Sequence, residues 1–341
     1  MIRRWCCALL VGLCALRVGA ADPDPAWRDW LQRFVTPEGR VVDTANERIS
    51  HSEGQGYGML LAVAHDDRAS FERLWRWTDR NLAVRDDALF AWQWKPSGDG
   101  GAVGDRNNAT DGDLLIAWAL LRGAERWRQP AWRARARAIL AEVRGTLLRP
   151  SPYGPLLLPG KVGFVEDKRV IVNLSYWLFP AFAEFQRADP DRVWRELPRS
   201  GLALLDAARY GRWQLPPDWL AVASDGRLSL VPRLGTRYGY NALRIPLYLA
   251  WARQGDAGRY APFLAFWRDF DGGPIHPATT DLSDDATDPY NAPNGVLTLA
   301  ATVRRLRDDP AAPAAPEGPD ADYYPATLAL LARLAEREAG R

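Results

Sequence analysis

The chain has 341 residues, 47% hydrophobic and 25% charged, a composition of folded rather than disordered protein. Three of its basic residues (Arg3, Arg4 and Arg17) fall in the first 20 positions, which hold no acid. The remainder is close to neutral and lacks the basic excess that nucleic-acid binders use against phosphates, so no nucleic-acid partner is expected.

Residues 1–20 read as a signal peptide. Arg3 and Arg4 precede an apolar run from Trp5 to Leu16, and Val18-Gly19-Ala20 supplies small residues for cleavage. The run is short for a bilayer span, which takes about 20 apolar residues, and an uncleaved anchor is the lesser alternative. A periplasmic or secreted protein is therefore expected, with no membrane span after processing. All three cysteines (Cys6, Cys7, Cys14) lie in this segment, so the mature chain is expected to use neither disulfides nor thiol chemistry.

The rest reads as helix after helix. Trp27, Trp30, Leu31 and Phe34 share one helix face over 26–34, and Phe71, Leu74, Trp75, Thr78 and Leu82 share another over 68–82. Two apolar runs follow Ser52 and Thr110, the second extending over 112–127. Further helices are predicted over 131–146, 175–186, 191–208, 240–253, 259–269, 291–305 and 321–338. Clusters of Gly and Pro separate them. Strand-like runs are short, such as 162–165 and 228–231. No linker splits the chain. Residues 21–341 are expected to form one all-α domain, a toroid or barrel of helical hairpins.

Sixteen tryptophans are far above ordinary usage. Many have core spacing. Trp92 and Trp94, before a Gly-rich loop, and Tyr176-Trp177, after a loop, sit where burial is less expected. Flat aromatic faces with polar edges suit sugars. For each ring taken singly, core packing is an equal reading.

Two helix starts carry matching chemistry: Ser52-Glu53-Gly54-Gln55 and Thr110-Asp111-Gly112-Asp113. Each reads as a hydroxyl N-cap with a capping-box partner three residues on, Gln55 or Asp113. Each places a carboxylate at the first helical position, and then a glycine that leaves room for close approach to the backbone. Acids also favour helix N-termini for electrostatic reasons alone. Aromatic neighbours (Tyr57, Trp92, Trp94) favour a site. Two carboxylates in an aromatic groove are the equipment of glycoside hydrolysis, one protonating the leaving oxygen and the other activating water or stabilising the sugar cation. Glu53 serves as the acid only if burial or a second carboxylate raises its pKa.

Residues 52–59 (SEGQGYGM) and 109–121 (ATDGDLLIAWALL) resemble the two signature segments of glycoside hydrolase family 8, with Gly123 a departure from its usual Ala. Residues 157–164, 173–176 and 240–245 resemble the periplasmic endoglucanases encoded with bacterial cellulose synthase. The resemblance runs from about Trp27 to Leu334. It implies an (α/α)6 barrel with an open cleft, a β-glucan substrate cut at internal β-1,4 bonds with inversion, and a place beside a cellulose synthase complex. Glu53 then matches the proton donor. Asp111 matches the acid that is called the nucleophile or, in an inverting scheme, a subsite stabiliser. Tyr240 and Arg244 match residues near the centre, and Tyr57, Trp92, Trp94 and Tyr176 join them as expected substrate contacts.

Asn241 departs from many cellulases of the family, which have Asp there as the base. Asn takes no proton at neutral pH. Asp218, Asp225, Asp284 and Asp285 are candidate substitutes, Asp225 also reading as an ordinary turn residue. A relative acting on chitosan or xylan, or a catalytically silent glucan-binding protein, stays open as an alternative. His51, His65 and His276 are too scattered for a zinc motif, and no phosphate or nucleotide fingerprint occurs, so no metal or cofactor is expected. His51 reads either as a cleft residue or as a surface residue before its helix.

Overall fold

Burial patterns sort the helices into two layers. The computed structural model describes residues 24–340 apart from 99, 315–317 and 319. The expected signal peptide and its cysteines lie outside the described residues. Eleven α-helices occur among the described residues: α1 (Pro25–Phe34), α2 (Ser52–Ala64), α3 (Arg68–Leu82), α4 (Thr110–Arg126), α5 (Pro130–Thr146), α6 (Phe182–Ala188), α7 (Val193–Ala207), α8 (Arg244–Trp251), α9 (Ala257–Asp269), α10 (Asn294–Arg307) and α11 (Tyr323–Ala339). Helices α2, α4 and α8 are buried on nearly every side. In contrast, α1, α3 and α5 bury one stripe, such as Trp27, Trp30 and Phe34 of α1. Helices buried all round belong to an interior, and amphipathic ones cover it.

The inner elements close a ring. Helix α2 packs on α4, and α4 and α8 both meet the 3₁₀ turn Leu174–Tyr176. Helix α8 packs on α10 and α11, and α11 returns to α2. Hairpins α2/α3, α4/α5, α6/α7 and α10/α11 build an (α/α)6 toroid around one continuous core. Small antiparallel sheets decorate it. One joins Ser50–His51, Gln93–Ser97 and Gly100–Ala102; another orders Val165–Glu166, Arg169–Val172, Leu220–Ala223 and Leu228–Leu230.

Two predicted helices are shorter than expected, for local reasons. Over 175–186 only the part from Phe182 is α-helical. Asn173 Oδ1 accepts from the Ser175 N–H and hydroxyl, fixing a tight turn, and Pro180 has no N–H for a helix. Over 240–253 the helix begins at Arg244. The N–H groups of Gly239 and Ala242 donate instead to Asp218 Oδ1, at 3.1 and 2.7 Å. The strands Arg169–Val172 and Leu220–Ala223 were not predicted. Apolar runs of four residues carry no readable period.

Candidate active site

The first turns of α2 and α4 touch, and glycine is the cause. A Cβ on Gly112 would fall 2.1 Å from Ser52 Oγ and 2.7 Å from the Glu53 nitrogen; one on Gly56 would fall 2.6 Å from Leu115 Cβ. The close approach that the glycines permit is therefore between the two helices. It places Glu53 and Asp111 side by side on one rim.

The capping boxes are not formed. His51 caps α2, its Nδ1 accepting from the Gly54 N–H at 3.0 Å. Ser52 Oγ is buried without a hydrogen-bond partner. Gln55 turns inward and ties Val41, Gly39, Leu74 and Thr78. In α4 the N-cap is Ala109, and the Thr110 hydroxyl donates to the Leu158 carbonyl. Asp113 accepts from the Phe90 N–H at 2.9 Å and from Asn108 at 2.8 Å. These side chains fasten incoming loops to the helix starts.

Glu53 and Asp111 open into a groove of about 410 Å³ that is also lined by Asp43, Asn46, His51, Trp92, Tyr176, Trp219, Tyr240, Asn241, Arg244 and Tyr324. Arg244 is buried to 1% exposure at its floor. Its Nη1 contacts Glu53 and lies 3.7 Å from Asp111 Oδ2. The same nitrogen donates to Tyr57 Oη at 2.8 Å, while Nη2 donates to Ser175 Oγ and Asn241 Oδ1, each at 2.9 Å. Tyr57 Oη and Tyr248 Oη lie 2.7 Å apart behind it. A guanidinium with donors satisfied on every side holds a fixed position.

Burial pushes Asp111 up to about 7, against the Gly112 N–H, His51 and the Tyr176 hydroxyl, which all favour its charge. Burial likewise raises Tyr57, Tyr176 and Tyr324 above the usual phenol range, so all three are neutral near pH 7. Asp218 is pushed up to about 6 by burial, opposed by N–H groups of the 239–242 turn and by the Asn241 side chain. Asn241 thus stands between Asp218 and Arg244, accepting from the latter.

Each residue singled out in the sequence has a definite place. Glu53, Asp111, Trp92, Tyr176, Tyr240, Asn241 and Arg244 meet in the groove. Tyr57 stands one layer behind, fully buried. Trp94 lies outside. Its ring packs edge-on against Trp77 at 5.7 Å, under the Arg40 guanidinium and over Gly101. Of the four candidate base residues, only Asp218 adjoins the groove. Asp225 is exposed and paired with Arg227, and Asp284 and Asp285 cap surface turns. Trp219, stacked on Phe164 at 5.7 Å and 11°, was not singled out. Neither were Asp43, Asn46 or Tyr324, whose hydroxyl donates to the Tyr240 carbonyl at 2.6 Å. They come from distant parts of the sequence, Tyr324 from the first turn of α11 and the others from loops. Among the described residues, no three His, Cys, Asp or Glu side chains are grouped to hold a metal ion, and no helix is long and apolar enough to cross a membrane.

Known proteins share this fold. Residues 1–338 match the profile of Glycosyl hydrolases family 8. The chain is 41% identical to a probable endoglucanase of Novacetimonas hansenii over 325 residues, covering 93% of each chain. It is 33% identical to an endoglucanase of Escherichia coli K12, covering 74% of this chain and 71% of that one. The solved endo-β-1,4-glucanase CMCax of Acetobacter xylinum superposes with a TM-score of 0.84 at 40% identity, over 93% of this chain and 98% of that one. A reducing-end-xylose-releasing exo-oligoxylanase, at 20% identity and a TM-score of 0.74, shares the fold. The chain belongs to glycosyl hydrolase family 8.

Proposed function

We propose that the protein is an endo-β-1,4-glucanase that cuts internal bonds of a cellulose-like glucan with inversion. The observation that carries this reading is the meeting of Glu53 and Asp111 at one nitrogen of Arg244, in a groove walled by Trp92, Trp219, Tyr240 and Tyr324. The similarity to endoglucanases at 41% and 40% identity supports the substrate class.

Glu53 delivers its proton to the glycosidic oxygen of the departing chain. Asp111, held by Tyr176 and the Gly112 N–H, faces the sugar ring and stabilises positive charge as the bond breaks. A water attacks the opposite face, so no covalent intermediate forms. Asn241 cannot take that water's proton. The acceptor in this reading is Asp218, directly behind Asn241, where burial lifts its carboxyl to about 6, within the range of a working base.

Residues 1–20 act as a signal peptide ahead of a single catalytic domain, and the enzyme works in the periplasm or outside the cell, beside a cellulose synthase complex. The test uses the purified protein without residues 1–20. It is expected to thin carboxymethylcellulose quickly, and Glu53→Gln to stop this with the fold intact. Full activity of that variant overturns the role of Glu53. Asn241 also favours a second reading, a glucan binder without turnover. Saturable quenching of Trp fluorescence by cello-oligomers, with no cleavage on long incubation, would establish it.

A further inference from the structure

His51 ends a strand and begins a helix, and both of its ring nitrogens are engaged. Nδ1 accepts the Gly54 N–H at 3.0 Å, and Nε2 lies 3.4 Å from Asp43 Oδ2. A nitrogen that accepts carries no proton, so the neutral ring bears its hydrogen on Nε2, directed at Asp43. The same Nδ1 is 3.9 Å from Glu53 Oε2. The side chains of His51 and Asp43 are each only 14% exposed.

The surroundings of the ring are accounted for from every side. Asp43 faces it from the preceding loop and Glu53 from α2. Asp111 acts on it electrostatically from α4, with Arg244 of α8 beyond Glu53. The Tyr323 ring of α11 meets it edge-on at 5.7 Å. Its strand partner is the uncharged Gln93.

We propose that the Asp43–His51 pair is a positioning device for Glu53. The proposal rests on the reading of Glu53 as the acid. Asp43 fixes the tautomer, and the neutral ring then caps α2 at the N–H that follows Glu53 while presenting it no proton. A second proton, on Nδ1, removes the acceptor from the Gly54 N–H and turns a cationic donor toward Glu53. That donor adds a second positive charge to the Arg244 guanidinium already on Glu53 and further disfavours the protonated acid. The neutral ring is the competent state.

Two measurements test this. The chain has three histidines, so long-range ¹⁵N–¹H spectra of the imidazoles can be assigned with His51→Asn as the reference. At pH 7.5 His51 is expected to show the Nε2–H tautomer; the Nδ1–H tautomer overturns the proposal. This readout needs no turnover, so it stays decisive even if the protein proves inert on glucans and the functional reading fails. The second is the pH profile of kcat/KM for the parent, Asp43→Asn and His51→Asn. Asn also caps helices, so the second variant keeps the start of α2. Asn at 43 cannot stabilise a charged ring as the carboxylate does. The acid limb is expected to move down by about half to one pH unit in Asp43→Asn and at least as far in His51→Asn. A limb unmoved in Asp43→Asn, which leaves the cap in place, overturns the proposal even if His51→Asn fails to fold.

Discussion

Asn241 Oδ1 accepts from Arg244 Nη2 at 2.9 Å, and the same side chain works against the burial that raises the Asp218 carboxyl. Neither end of the amide is free to take a proton from water. With Asp at 241, a carboxylate would stand between Arg244 and Asp218, in the groove wall itself. Asn241→Asp is expected to raise kcat on cello-oligomers at least about tenfold, the low side of what a placed general base contributes. Asp218→Asn in the parent is expected to lower kcat by about a hundredfold. Initial rates decide, and no gain in Asn241→Asp means that the water's proton does not leave past this position.

Gly112 sets how closely the two acids approach. In Gly112→Ala the new methyl would meet Ser52 Oγ and the Glu53 nitrogen, and part of that contact is backbone. The helices must separate. A loss of about 1–3 kcal/mol in stability is expected, as for other overpacked contacts, with a fall in kcat larger than any change in KM. Urea unfolding and steady-state kinetics on the same preparation provide the check. A stable, fully active variant would show that helix contact is not what places Glu53.

Trp219 and Trp94 separate groove from packing. Trp219 lines the groove on a stacked Phe164, so Trp219→Ala is expected to weaken cello-oligomer binding by about tenfold. Trp94 is held by Trp77 and Arg40, away from the groove. Trp94→Ala is expected to lower the melting temperature and leave KM unchanged. Titration calorimetry and thermal melts of the two variants compare directly.

Asp113 gives a stability prediction with a definite sign. Burial holds its carboxyl near 7 in the folded chain, against 3.8 ordinarily. Between those values the folded state binds more protons than the unfolded one, so this group's contribution falls as pH rises. Asp113→Asn removes that dependence. It is expected to cost about 1 kcal/mol at pH 5, because one nitrogen then faces Asn108, and to recover relative to the parent by pH 8. Parallel unfolding curves at the two pH values check this, and a gap that widens with pH would refute it.

How much of this was legible depends on how each residue is held. Glu53 and Asp111 could be paired from sequence because each opens a long apolar helix, with glycine at the same offset. Their caps could not, because Ser and Thr before an acid look the same whether the hydroxyl caps, bonds a distant carbonyl as Thr110 does, or stays unpartnered as Ser52 does. Trp94 shares a strand with Gln93 and looked exposed, but Gly101 folds back onto its ring. Asp43 and Trp219 reach the groove from separate loops, and Tyr324 from the first turn of α11. Only closure of the ring brings them together, and no local period encodes that.

Because two bare glycine backbones bring α2 and α4 into contact, the gap between the helix starts that carry Glu53 and Asp111 is set by main chain rather than by rotamer choice. The ordering is completed once, when the toroid closes, and is not repeated at each turnover. Whatever enters the groove meets both acidic helix starts already in place.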